Sequence, residues 1–171
     1  MRRNSRGLGA GIVLGAAAGA AATWIMGMAT SVMYERENPV ARKREDDVRG
    51  GRQASSVAAQ KAAKALGRSL TAAQSETFGN GIHWALGIGV GALYGALRHR
   101  MPALASGLGS LFGTAFFLTI DEAANTALRL TPPPTRFPWQ AHARGLAGHL
   151  VYGLVAESVL RASDRWASGA I

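Results

Sequence analysis

Residues 7–33 run for 27 positions without an Asp, Glu, Lys or Arg. A helix needs about 20 apolar residues to cross the hydrocarbon core of a bilayer, so this run is long enough with some tilt. Arg2, Arg3 and Arg6 precede it. A cleaved leader would carry an apolar stretch of only about 7–15 residues, so a retained first span is expected. Three more runs are poor in charge. Residues 79–97 end at Arg98-His99-Arg100, residues 102–126 open on Pro102, and residues 143–162 enclose His149 and Glu157. These runs predict an all-α, polytopic integral membrane protein: a single membrane domain over 1–171 with four transmembrane helices (7–33, 79–97, 102–126 and 143–162).

Residues 34–78 read as a polar connection. Pro39 and the mixed charges of 35–52 predict a solvated loop. Residues 55–70 predict a helix with Ala58, Ala62, Ala65 and Leu66 on one side and Lys61, Lys64 and Arg68 on another. That pattern fits an interfacial helix whose cations meet phosphate head groups, and equally an Ala-rich surface helix. Pro132, Pro133 and Pro134 predict a rigid extended loop. The loop closes on Pro138-Trp139, with tryptophan at the membrane–water boundary.

The net charge of +9 does not point to nucleic acid. Lys and Arg flank apolar runs and form no basic face with interleaved aromatics, and Arg42-Lys43-Arg44 is followed at once by Glu45-Asp46-Asp47. The partner that fits this distribution is a lipid bilayer carrying anionic head groups. Four spans put both termini on one side. Arg2, Arg3, Arg6, Arg98, Arg100, Arg161 and Arg165 gather there, but the opposite side is basic too, so the positive-inside bias does not set the orientation. The absence of cysteine excludes disulfides, thiolate metal sites and a cysteine nucleophile.

Glycines recur every four residues. Gly7, Gly11, Gly15 and Gly19 form one row, rejoined by Gly27. Gly87, Gly91 and Gly95 form a second, Gly109 and Gly113 a third, Gly145 and Gly153 a fourth. Residues four apart share a helix face, and in lipid such small residues let backbones approach and gain dispersion contacts. Tight helix packing is expected, within one chain or between copies in a homo-oligomer or larger complex.

Ionisable residues fall on the same rows. His83 is four before Gly87, Asp121 eight after Gly113, His149 midway between Gly145 and Gly153, and Glu157 four beyond Gly153. They are expected to face the bundle interior, where a charge is costly unless paired or wetted. His83, Asp121 and His149 are expected in one layer, roughly 6 Å inside one boundary, with Glu157 about 12 Å deeper than His149. Such a layer could be a hydrogen-bonded clasp, a protonatable relay or a metal site. No segment offers HxxxH or ExxH spacing, which counts against the metal. No nucleophile elbow is present, and the near-GxGxxG of residues 107–113 follows no strand and falls mid-span. Neither an enzyme nor a bound cofactor is expected.

The string Leu130-Thr131-Pro132-Pro133, Pro138-Trp139 and Gly148-His149-Leu150-Val151, with Glu157 and Arg161 beyond, resembles the YagU-like inner-membrane proteins of bacteria over residues 79–165. The resemblance implies a small multi-pass protein of the bacterial inner membrane, without an established activity and linked with acid tolerance. Trp139, His149 and Glu157 are the residues that carry over.

Overall fold

The computed structural model describes residues 7–169, so Arg2, Arg3 and Arg6 lie outside the described residues. Helix accounts for 81% of the chain, and no strand occurs among the described residues. Four helical stretches, each antiparallel to the next along the chain, pack side by side. They are α1 (Leu8–Arg36), α4 (Ala72–Leu97), a compound stretch made of α5 (Ser110–Phe116), a π-helical segment (Phe117–Ala124) and α6 (Asn125–Ala127), and α7 (Trp139–Ala167). Two short helices, α2 (Pro39–Arg49) and α3 (Ala54–Ala65), cap one end.

The glycine rows face one another inside this chain. Gly11, Gly15 and Gly19 of α1 lie against Gly95, Gly91 and Gly87 of α4. A Cβ on Gly91 would sit 2.5 Å from the Gly19 Cα and 2.6 Å from the Gly15 carbonyl oxygen, so the two backbones touch directly. Gly153 of α7 meets the backbone at Gly109 and Gly113 in the same way, and Gly148 rests on Thr30 and Met26 of α1. Gly27 and Gly7 have no neighbour there and stand apart from the seam.

Several boundaries differ from expectation. Residues 39–49 are helix, not loop. Asn38 accepts a bond from the Val40 amide, Pro39 occupies the first turn, Lys43 and Asp47 pair at 2.8 Å, and Gly50 ends the helix at φ 60°. α3 packs on α4, where Gly79 admits the Ser56 backbone, and Lys61 donates to the Leu128 carbonyl at 2.7 Å. α4 starts seven residues before 79, because Thr71 and Gln74 form a capping box.

The third run does not form one helix from Pro102. Residues 102–105 make a 3₁₀ turn, and Gly107, Leu108 and Gly109 all have positive φ, so the α-helix starts only at Ser110. Gly109 is therefore a helix cap rather than a rung of a helical row, and the near-GxGxxG is a turn entering a helix rather than a mid-span segment. Pro134 opens a 3₁₀ turn (Pro134–Arg136), so the proline run is only partly extended.

α1 is long and apolar enough to cross a membrane, and 28% of its apolar window is buried inside the chain. Large apolar side chains also stand exposed on the outer faces of the other stretches, among them Leu93, Leu118 and Leu154. Apolar surface this extensive marks a contact with lipid or protein. The Gly15→Leu substitution is expected to force α1 from α4 and cost about 3 kcal/mol or more, because backbone cannot yield as a side chain can. Gly89→Ala, with open space around it, is expected to gain up to about 1 kcal/mol of helix propensity. Thermal midpoints of the two purified variants check the contrast.

Candidate functional site

A cavity of about 660 Å³ runs from the capped end into the bundle. His83, Asp121 and His149 all line it. The structure thus brings three predicted residues together, but deeper than expected. His83 lies eleven residues into α4 and His149 ten into α7, so at 1.5 Å per residue both are roughly 15 Å from their helix starts. The helices begin earlier than their uncharged runs do.

His149 is buried. It donates from Nδ1 to the Gly145 carbonyl at 2.9 Å, and its ring stands edge-on to Phe116 at 4.7 Å between centroids. Asp121 Oδ2 is 3.8 Å from that same nitrogen, beyond hydrogen-bond reach. Asp121 sits on the π-helical segment, a rare geometry that recurs at functional sites. His83 faces the same cavity from α4. Among the described residues, no group of three or more His, Asp or Glu side chains is arranged to hold a metal ion.

Glu157 belongs to a different cluster, as its depth predicts. Its side chain is 2% exposed and accepts bonds from the Tyr94 hydroxyl (2.6 Å), Arg98 (3.2 Å) and Arg161 (2.6 Å). Arg98, 7% exposed, also binds Asp164. The cluster ties α4 to α7 beside a second cavity of about 470 Å³ at the opposite end. Between the cavities lies a plug of rings. Tyr94 stacks on Phe112 at 4.1 Å, Phe112 and Phe116 pack on Tyr152, and the Tyr152 hydroxyl donates to the Gly87 carbonyl at 2.6 Å.

The other predicted residues serve the scaffold. Trp139 is exposed at the start of α7 and Pro138 is its N-cap. Pro132 lines the cavity mouth, Pro133 precedes the 3₁₀ turn, and Gly145 gives way to the Phe117 ring.

Sequence reasoning missed a third cluster. Arg144 on α7 binds Glu37 and Glu45, the latter at 2.5 Å, while its guanidinium covers the Tyr34 ring at 4.9 Å. Glu45 is 0% exposed and also binds Arg49 at 2.6 Å. The Glu45–Arg49 spacing of four is the sequence signal for this cluster, and it shows only once 39–49 is helix. His142 donates to the Pro134 carbonyl (3.0 Å) and pairs with Glu122 (2.6 Å), which anchors the proline loop to α7.

The chain matches no protein-family model, no curated protein and no solved structure. The chemistry of the site therefore rests on its geometry. Glu157→Gln is expected to cost about 3 kcal/mol, since it strips a buried guanidinium of a counter-charge. Tyr94→Phe removes one of three donors to the same carboxylate, so the double variant is expected to lose less than the sum by at least about 0.5 kcal/mol. Chemical denaturation of the four proteins in one detergent measures that coupling.

Proposed function

We propose that the chain is a small multi-pass membrane protein of structural or accessory role, with α1, α4, the compound stretch α5–α6 and α7 all crossing the bilayer. The observation that carries this reading is the aromatic plug of Tyr94, Phe112, Phe116 and Tyr152, which closes the bundle centre between two polar ends. A bundle closed in this way holds its helices in register and offers no open path. Glu157 fits the same role, because the bonds it accepts from three side chains join α4 to α7. The apolar outer faces of all four stretches support contact with lipid. The resemblance of the Pro132–Trp139–His149 string to the YagU-like inner-membrane family points to the same class and to the bacterial inner membrane. Association with further copies or a larger membrane complex would use the outer faces, since most of the glycine rows are spent inside the chain.

A second reading, a proton or small-ion conductor connected with acid tolerance, is favoured by one observation: cavities enter from both ends, one holding His149 and the other Glu157. It requires the plug to open and Glu157 to leave its three partners.

The chain has no native cysteine, so single cysteines report topology cleanly. Exposed positions Val40 and Leu128 flank the capped end, and Met101 and Trp166 the other. In sealed inverted vesicles a membrane-impermeant maleimide is expected to label Val40→Cys and Leu128→Cys as one class and Met101→Cys and Trp166→Cys as the opposite class. Labelling of Met101→Cys, Leu128→Cys and Trp166→Cys alike from one side would leave α1 as the single span. Proteoliposomes holding the purified protein are expected to keep an imposed pH gradient as well as empty ones. A leak abolished by Glu157→Gln would establish the conductor instead.

A further inference from the structure

The larger cavity has a charge opposite to that of the chain. Of ten acidic residues in a protein of net charge +9, Glu35, Asp46, Asp121 and Glu122 lie in its wall. Glu37 and Glu45 stand behind them, bound to Arg144, and Glu45 also binds Arg49. The two arginines of the wall are thus already neutralised. His142 and Tyr34 occupy Glu122 and Asp46. Among the described residues, Glu35 and Asp121 have no cation at hydrogen-bond distance; of the two, Asp121 sits by the Phe116–Phe117 side, with His149 3.8 Å away and 39% of its side-chain exposure kept while lining the cavity. An under-compensated carboxylate in a recessed, low-dielectric space attracts a cation more strongly than one at an open surface.

The rest of the wall describes the cation. The same wall carries the apolar side chains Met26, Phe116, Phe117 and Ile120 beside neutral polar ones such as Thr30 and Asn125. Ring faces attract cations and apolar walls accept hydrocarbon. The volume falls within the roughly 300–1,000 Å³ of ordinary small-molecule sites. Among the described residues no three His, Asp or Glu side chains converge there to ligate an inorganic ion.

We infer that this cavity is a binding site for a hydrophobic organic monocation, with Asp121 as counter-ion and the Phe116–Phe117 side of the wall as its apolar seat. The site is a property of the folded bundle and does not depend on which helices cross the bilayer. Nor does it require the plug to open, since the cavity is reached from the capped end.

The test is equilibrium dialysis of the full chain in lipid nanodiscs against tetraphenylphosphonium and tetraphenylborate, ions of one shape and opposite charge, with empty nanodiscs as background. Saturable one-to-one binding of the phosphonium is expected, with the borate at least about tenfold weaker. Asp121→Asn is expected to weaken phosphonium binding by about tenfold at unchanged helical content, and Glu76→Gln, exposed and away from the cavity, to leave it unchanged. Equal binding of the two ions would overturn the inference, and that comparison needs no variant to fold. Displacement of the phosphonium by an equal concentration of magnesium would also overturn it, by making the site one for inorganic cations.

Discussion

The backbone of α1 lies directly on the backbone of α4, and the rest of the molecule is arranged around that approach. Gly11, Gly15 and Gly19 meet Gly95, Gly91 and Gly87 with no side chain between them. In lipid, burying apolar surface yields no net drive, so helices associate through close dispersion contacts and internal polar bonds. The glycine seam supplies the first. It also sets the register in which Tyr152 of α7 reaches over Gly19 to the Gly87 carbonyl. One bulky residue in the seam would displace that hydroxyl and loosen the ring plug behind it.

Polar side chains supply the second kind of contact, in three places along the bundle. Arg144, Glu37 and Glu45 tie α7 to the capped end, His149 and Asp121 face each other at the cavity, and Glu157 joins α4 to α7 beyond the plug. Buried charges are costly alone, and each cluster except the one around Asp121 satisfies itself with opposite charge at hydrogen-bond distance. That exception sits on the π-helical segment, where an extra residue per turn re-aims side chains.

The helical class and the pairing rows were legible in the sequence because glycine spacing and charge-free runs are local signals. His83, Asp121 and His149 could be placed on one level for the same reason, since helix periodicity carries a residue's height and face. The absolute depth was not legible: Thr71 with Gln74 starts α4, and Pro138 starts α7, well outside the apolar runs. The break at residues 107–109 was missed because Leu108 adopts positive φ, which no hydropathy pattern announces. Arg144 is far in the chain from Glu37 and Glu45, and their meeting follows from the docking of α2, itself concealed by its density of charge. Tyr94 and Tyr152 read as ordinary aromatic residues until the register of α1, α4 and α7 set them over Glu157 and Gly87.

That α1 and α4 pair within one chain is the claim on which every other contact depends. The most direct measurement is the distance between nitroxide labels at Met28→Cys and Phe78→Cys, exposed positions on α1 and α4 that the antiparallel seam sets level with each other. It is read by pulsed electron resonance after dilution with excess unlabelled protein. Helix axes 8–10 Å apart or closer predict a single distance of about 20 Å or less that survives dilution unchanged. A short distance that vanishes on dilution would mean that the glycine rows join separate copies, and the account given for the plug and the cavity would fail with it.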